Sequence, residues 1–557
     1  MSRYKQRVQV HDDLLQDLLH ARGVLPADAP GFLEPEFERD SHDPFLLPDM
    51  AKAVERILLA VKHNETVAVW SDYDCDGIPG GVMLADFLRE LGLSVVHYIP
   101  HRHKEGYGLN QEGLDELARQ GITLVITIDL GTTEHEHIVY AKTKGIEIIV
   151  TDHHIVQNAE LHPALALINP KRPDSNYPFD GLCGAGVAWK LVQALILKSR
   201  SNGQSFDYAE GKEKWYLDLV GMATLSDMVP LVGENRMLAR YGLLVMRKNR
   251  RPGLAALLKM LRIKPGALVE DDIGFMIAPR INAASRMDSP SVAARLLATH
   301  DEHEAEELAR TLNKINDERK GLVAATVKEA NRRMEGGAML ESPVLVMGSP
   351  NWRPGILGLV ANSLATAHHK PVFLWGREGG ELLRGSCRSE GTVSVVSLMQ
   401  NAGDILDHFG GHFASGGFSI IEDRAHELHA NLVSAYQKIR AEEVEEKEII
   451  IDRQIAVADI SRARMALAKL GPFGEGNKKP FFITKSVVVA RVKSFGKTAN
   501  HLDLELEGQG ERISGIAFFA TASSFSKPIE AGMQADIVGH IETDWRGKPR
   551  IRIIDII

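Results

Sequence analysis

The chain has 557 residues, of which 44% are hydrophobic and 25% charged. That balance matches soluble globular proteins, excludes a largely disordered or collagen-like chain, and at this length calls for roughly three to five domains. The net charge of −9 is uneven, because residues 451–557 hold 16 Lys and Arg against 12 Asp and Glu, a balance of +4 that leaves −13 for the remainder. A uniformly basic nucleic-acid footprint is thereby excluded, and a mildly basic tail succeeds an acidic body. Three scattered cysteines, Cys75, Cys183 and Cys387, make neither a disulfide framework nor a thiolate zinc cluster, which points to a reducing compartment. With no apolar run of membrane-spanning length and no signal-like start in MSRYKQRVQVHDD, the expectation is a soluble cytoplasmic protein.

In chain order, residues 1–45 predict a helical lead-in. LLQDLLHARG has helical spacing, and Pro26, Pro30, Pro35 and Pro44 punctuate the stretch after it. Residues 46–240 alternate. A helix over MAKAVERILLAVKHN leads to the apolar strand TVAVWS, a Gly-rich turn and a helix over VMLADFLRELG; the runs SVVHYIP, TLVITID, IEIIVTD and LALIN come next. Strands this apolar, alternating with helices, predict a parallel sheet. Residues 241–335 predict a helical region ending in one long amphipathic helix, with Leu308, Leu312, Ile315 and Leu322 at 3–4 spacing. A second α/β pattern starts at PVLVMG and occupies 336–440, so the long helix is placed to connect two lobes. The acidic cluster AEEVEEKE at 441–448 marks a boundary. Residues 449–557 then carry five short strands, FFITKSVVVARV, HLDLELEG, RISGIAFFA, ADIVGHIE and RIRIIDII, which predict a small β-barrel of the OB-fold kind. The expected fold class is α/β: a parallel-sheet domain and a second α/β lobe joined by a long helix, followed by a C-terminal barrel.

The chemistry concentrates in acids. Asp72, Asp74 and Asp76 sit in SDYDCDG directly after TVAVW, and open parallel sheets gather ligands at the carboxyl ends of their strands. Three carboxylates within five residues repel each other unless a cation compensates. Taken alone, an acidic surface turn explains them equally well. However, Asp129 ends TLVITID, Asp152, His153 and His154 end IEIIV, and Asp227 lies in ATLSDMVP. Independent surface turns do not repeat that placement. Carboxylate oxygens with one or two imidazoles suit Mn²⁺ or Mg²⁺ rather than a thiolate zinc site. Several bridging carboxylates suggest two ions about 3.5–4 Å apart, as in phosphoester hydrolysis.

These residues carry a resemblance. DYDCDG, TIDLG, TDHH and LSDMVP match, in order, the four motifs of the DHH phosphoesterase superfamily. Beyond them, IPHRHKEGYGLN, PRINAASRM, NWRPGILGLVANSL, GSCRS, FGGHFASGGF and LGPFGEGNKKPFF resemble successive signatures of its RecJ family, bacterial single-strand-specific 5′→3′ exonucleases. The resemblance runs from HDPFLLPDM to the C-terminus. It implies a DHH catalytic domain at 46–240, a substrate-binding DHHA1 lobe at 336–440 and a DNA-binding OB-fold at 449–557. It also implies that Asp72, Asp74, Asp76, Asp129, His153 and Asp227 hold two Mn²⁺ or Mg²⁺ ions, with Asp129 bridging them and a shared water attacking phosphorus. His154 would contact the scissile phosphate or assist proton transfer; orienting His153 is its alternative role.

For the substrate, the resemblance offers Arg102, then Arg280, Asn282 and Arg286 in PRINAASRM, then Ser386, Arg388 and Ser389 in GSCRS, and Gly410, Gly411 and His412 in FGGH. Small residues let a phosphate reach backbone N–H groups, and an Arg binds it through two parallel hydrogen bonds. In the barrel, Phe473, Phe481, Phe495 and Trp545, with Arg491, Lys493, Lys497, Arg546 and Lys548, are available for stacking and phosphate contact, although core packing explains each aromatic at least as well. The chain departs from the family pattern at Ser71, at Ile78–Pro79–Gly80, at Arg353 and at Cys387, none of them an inferred metal ligand. The implied activity is metal-dependent 5′→3′ degradation of single-stranded DNA to mononucleotides, in recombination and repair. Implied partners are single-stranded DNA and a single-strand-binding protein or helicase, with no membrane. DHH enzymes acting on short RNA or cyclic dinucleotides are a rival reading, but they generally lack a C-terminal barrel. Manganese pyrophosphatases share only the first motifs. Non-catalytic RecJ-like scaffolds tend to lose metal ligands that this chain keeps.

Overall fold

The computed structural model describes residues 4–557 apart from 103–104, 157–161, 202–207, 336, 378–381, 392, 440–447, 497–498 and 545. Lys497, Trp545 and nearly all of the acidic boundary cluster lie outside the described residues. The first sheet comprises β1 (Thr66–Ser71), β2 (Ser94–Tyr98), β3 (Leu124–Ile128), β4 (Glu147–Thr151) and β5 (Ala166–Ile168). All five are parallel, in the order β2-β1-β3-β4-β5. The central strands are Val- and Ile-rich and almost wholly buried, as expected when helices cover both faces. Register then assembles the site. Ser71 pairs with Ile128, and Ile128 with Thr151. The next residues, Asp72, Asp129 and Asp152, therefore leave three adjacent strands side by side, one strand spacing of about 4.8 Å apart.

Helices Gly77–Glu90 and Gly184–Ser201 pack against this sheet. Gly80 makes their approach possible, because a Cβ there would come within 3.0 Å of the Ala185 backbone. The helical region contains Pro252–Leu261, Ala278–Met287, Ser291–Ala298 and Glu302–Met334. The last helix has 33 residues, about 50 Å at 1.5 Å per residue. Its N-terminus is capped by Asp301, whose side chain accepts from the Glu304 N–H. Its two halves serve different cores. Leu308 and Leu312 join the first-domain core, while Ala330 and Met334 join the core of the second lobe. The second lobe is a mixed sheet of β6 (Leu345–Ser349), β7 (Val372–Gly376), β8 (Leu382–Arg388), β9 (His408–His412) and β10 (Ser415–Ile421), in the order β9-β10-β8-β7-β6.

The C-terminal strands are β11 (Phe482–Phe495), β12 (His501–Gly508), β13 (Glu511–Ala517), β14 (Gln534–Thr543) and β15 (Pro549–Ile556). Strand β11 is long enough to pair with β14 through its first half and with β12 through its second, around a bulge between Thr484 and Val487. With β13–β15 and β14–β15 also paired, the sheet closes into a barrel.

The lead-in does not stand apart. Tyr4–Gln6 pairs in parallel with Ile449–Ile451, the Tyr4 hydroxyl donates to Asp555, and Leu18 and Leu19 belong to the barrel core. The joint between this module and the first domain centres on Arg236, which is 2% exposed. Its Nε donates to the Phe32 carbonyl at 2.6 Å and its Nη2 to that of Gly471 at 2.9 Å, with the guanidinium over the Phe32 ring. Burial pushes its pKa down to about 10, so it stays cationic at neutral pH.

A chain ended before Ile451 leaves Leu18, Leu19 and Phe32 without their barrel partners. Such a chain should self-associate, whereas one that also starts at Glu36 should elute from size exclusion closer to a monomer. Indistinguishable elution would show that the lead-in is independent of the barrel.

Candidate active site

The acids at the strand ends are locked by backbone. Gly77 passes close to Asp72; a Cβ there would lie 2.5 Å from its carbonyl oxygen. Asp74 Oδ1 accepts from the N–H groups of Asp76 and Gly77 and so caps the helix that begins there. Asp76 accepts from Gly184 N–H at 2.6 Å and Ala185 N–H at 2.8 Å, at the positive end of the helix Gly184–Ser201. Asp129 has φ +63, a left-handed conformation that Asp and Asn tolerate better than most residues. It packs directly on Gly184, where any Cβ would lie 2.5 Å from the Asp129 Cβ. Asp227 caps the C-terminus of the helix Leu217–Ser226 rather than ending a strand.

Together these place three donor triads within 4.8 Å: Asp72–Asp74–Asp129, Asp76–His153–Asp227 and Asp129–His153–His154. His153 Nε2 faces Asp129 at 3.2 Å, Asp227 at 3.6 Å and Asp76 at 3.9 Å. Burial, reinforced by neighbouring carboxylates, pushes the pKa of Asp72 and Asp129 well up, that of Asp76 to about 7 and that of Asp227 to about 9. Burial and the neighbouring His154 push His153 down to about 4, leaving a neutral imidazole with a lone pair to donate. Asp72 Oδ1, Asp129 Oδ1 and Asp227 Oδ2 are buried without a hydrogen-bond donor. Acceptors without donors, at the focus of converging negative charge, fit divalent cations with oxygen and imidazole ligands. Asp129 belongs to triads on both sides of the cluster, the placement a bridging ligand needs.

Asp152 points elsewhere. It accepts from the Thr132 and His153 backbone N–H groups and from His154 Nδ1 at 2.7 Å. Burial raises its pKa, but the hydrogen bond and charge of His154 outweigh this and hold it below the ordinary carboxylate range. The same contact pushes His154 up, so a half-exposed imidazole favouring its charged form stands 3.9 Å from Asp129.

A second constellation borders the acids. Arg102 lies over the Tyr73 ring at 5.1 Å. Arg286 donates to the Gly355 carbonyl at 3.1 Å; burial and repulsion from Arg102, Arg319 and Arg388 push it down to about 10. Arg388 packs on Gly358, where a Cβ would lie 2.7 Å from its Nη2. Four guanidiniums thus converge between the first domain, the long helix and the second lobe. Among the other expected substrate residues, Ser386, Gly417 and Gly410 form one row across β8, β10 and β9, and Arg388, Ser415 and His412 form another; Gly410, Gly411 and His412 are exposed. Three expected contacts are turned to the protein itself. Arg280 is buried and donates to the Met276 carbonyl and Asn313. The Asn282 side chain accepts from the Cys75 N–H, bracing the acidic loop. Ser389 is buried and donates to the Val393 carbonyl. Sequence reasoning passed over Tyr73 and Arg319. NDERKG on an amphipathic helix reads as a solvated face, and only the fold brings Arg319 near enough to Arg286 for their charges to repel.

An open parallel sheet with clustered acids at its strand ends, joined by a long helix to a second α/β lobe, is the arrangement of a DHH-type phosphoesterase. Comparison with known proteins agrees domain by domain: the DHH family N-terminal domain matches residues 66–224, the DHHA1 domain 341–438 and the RecJ OB domain 451–555. The single-stranded-DNA-specific exonuclease RecJ of Escherichia coli (strain K12) is 30% identical over 97% of this chain and 95% of its own length. RecJ of Bacillus subtilis (strain 168) is 31% identical over 97% of this chain and 67% of its own. The crystal structure of RecJ from Thermus thermophilus in complex with Mn²⁺ superposes with a TM-score of 0.78 at 26% identity, covering 100% of this chain and 79% of that one. The chain belongs to the RecJ family.

Two outcomes test the site. Replacing Asp129 by Asn keeps a residue that tolerates positive φ but removes the charge; it should lower the hydrolysis rate at least about 10³-fold with an unchanged circular dichroism spectrum. Activity within tenfold of the parent would sink the bridging assignment. The raised carboxyl pKa values also set a pH dependence. In an unfolded chain these groups lose their protons near about pH 4, whereas in the metal-free fold Asp76 and Asp227 retain them to about 7 and about 9. The fold binds more protons than the unfolded chain across that window, so metal-free stability should fall as pH rises through it. Melting in chelator should therefore occur at lower temperature at about pH 8 than at about pH 6, with Mn²⁺ giving the larger increase at the higher pH.

Proposed function

We propose that this protein is a metal-dependent exonuclease that degrades single-stranded DNA from its 5′ end to mononucleotides, in recombination and repair. The observation that carries the reading is the cluster of carboxylates and imidazoles that forms three triads able to hold a cation, with Arg102, Arg319 and Arg388 close enough to Arg286 to lower its pKa. When bound, Mn²⁺ or Mg²⁺ ions held by Asp72, Asp74, Asp76, Asp129, His153 and Asp227 supply the activated water and the charge stabilisation that phosphoester hydrolysis needs. The chain's own groups do the rest. Asp152 orients His154 and keeps a proton on it, toward the cleft, where it can contact a phosphate or protonate a departing oxygen. The arginines bind successive phosphates and hold the scissile one against the acids. The exposed Gly410–His412 edge lies in register with Arg388 and offers backbone to a passing strand. The second lobe, reaching Arg286 through the Gly355 carbonyl, would close over the site and exclude duplex.

Such a reaction needs unpaired ends, so a helicase or single-strand-binding protein belongs among the proposed partners. The buried free cysteines suit a reducing cytoplasm. No helix among the described residues is long and apolar enough to cross a membrane.

Strands labelled at either end, incubated with Mn²⁺ and resolved by length, test polarity. A 5′ label should appear at once as mononucleotide, while a 3′ label should pass down a ladder. A blunt duplex should resist, and a 5′ single-stranded tail should be trimmed to near the junction. Digestion of blunt duplex as fast as single strand would overturn the narrow-cleft reading.

A further inference from the structure

The barrel is the most basic part of the chain, yet the two arginines flanking β12 are already paired with its acids. Along β12 the outward positions are His501, Asp503, Glu505 and Glu507. Arg491 pairs with Asp503 at 3.0 Å and Glu505 at 3.6 Å, and Arg512 with Glu505 at 2.9 Å and Glu507 at 3.0 Å. These arginines are already compensated and have little charge to offer phosphates. Of the aromatics singled out from sequence, Phe473 and Phe481 pack against buried clusters.

At the end of the same face stands a different group. Phe519 is 82% exposed and Phe518 39% exposed. Phe519 has φ +54, a strained conformation for an aromatic residue. It is held there by its N–H, which donates to His501 Nδ1 at 2.9 Å, and by the next residue, Ala520, whose N–H donates to the Asn500 carbonyl at 2.8 Å. The His501 ring meets Phe518 and Phe519 edge-on, with centroids at 5.7 and 4.9 Å, and lies against Phe495 at 5.1 Å. Arg552 sits 5.7 Å from the Phe518 ring centroid. Gly496, at φ +90, leaves room for the imidazole; a Cβ there would lie 2.7 Å from it. The backbone is thus fixed so as to present two phenyl rings to solvent, forgoing their burial. The position is the β11–β12 loop end of the barrel, where OB-folds take oligonucleotides.

We infer that Phe518 and Phe519, propped by His501, form a stacking platform for the unpaired bases of the strand leading away from the active site. The barrel then grips the strand chiefly through base faces rather than through phosphate neutralisation. The inference rests on the exonuclease reading above and adds to it where the strand is held and by which force.

The test uses the full-length protein in chelator, so that no strand is cut, and measures Kd by anisotropy for a long oligothymidylate and for an abasic strand of equal length. Phe518→Ala/Phe519→Ala should weaken oligothymidylate binding about tenfold or more and leave abasic binding and the slope of log Kd against log salt unchanged. Phe519→Trp should restore or tighten binding. With Mn²⁺ present, single-turnover cleavage of a saturating short oligonucleotide should be unaffected, because the platform lies outside the reacting groups. Unchanged oligothymidylate affinity in the double variant overturns the platform while leaving the exonuclease reading intact. An equal loss on the abasic strand, or slower cleavage of the short oligonucleotide, overturns the stacking mechanism. A parent protein that fails to bind or cut single strands fails the exonuclease reading itself.

Discussion

Mutual repulsion among buried carboxylates is the constraint around which this molecule is arranged. Asp72, Asp76 and Asp129 are almost fully buried, with Asp227 beside them, in a place where isolated negative charge is strongly unfavourable. The backbone resists their separation on every side. Parallel register delivers Asp72 and Asp129 from neighbouring strands, a helix N-terminus holds both oxygens of Asp76, and glycines at 77 and 184 allow approaches that a methyl group would prevent. Local instability is thereby stored at one point and released when cations arrive, as is common in metal sites.

The acids and the arginines form opposite ends of one field. The cleft draws a polyanion toward guanidiniums contributed by the first domain, the long helix and the second lobe, while the carboxylates would repel it unless they were neutralised. In the proposed reading, substrate binding and metal binding would be coupled electrostatically: a strand held by Arg286 and Arg388 would meet a repulsive floor in the metal-free protein and an attractive one once cations are bound. The long helix matters here because it is built into both cores. Any change in lobe separation must bend or shift it, which moves Arg319 relative to Arg286 and Arg388.

Much of this was legible in the sequence. The apolar runs ending in acids announced both the parallel sheet and the site at its edge, because strand periodicity and metal chemistry write themselves in adjacent residues. The five-stranded barrel and the connecting helix were equally plain. What depended on three-dimensional proximity was not. Asn282 and Ser389 sit in motifs that suggest phosphate contact, but the Asn282 Oδ1 accepts from the Cys75 N–H and the Ser389 hydroxyl donates to the Val393 carbonyl. Ile78–Pro79–Gly80 departs from the family pattern, yet it sits in the first turn of a helix whose fit needs Gly80, like Gly77 and Gly81, to be small. Arg319 and the exposed Phe519 carry no local signature, since a charged helix face and a pair of phenylalanines have commoner explanations.

The pairing of Tyr4–Gln6 with Ile449–Ile451 has a consequence for how the molecule is made. A segment synthesised before both α/β lobes belongs to a module completed after them, with more than about 400 residues between Leu19 and its barrel partners. At roughly 5–20 residues per second, that segment waits some tens of seconds while two α/β lobes are synthesised ahead of its partners. Its apolar residues are unburied for that interval, so a chaperone that shields nascent chains has a defined client in Leu14–Leu33. Completion of the barrel draws Tyr4–Gln6 and Leu14–Leu33 into one module with residues 449–557.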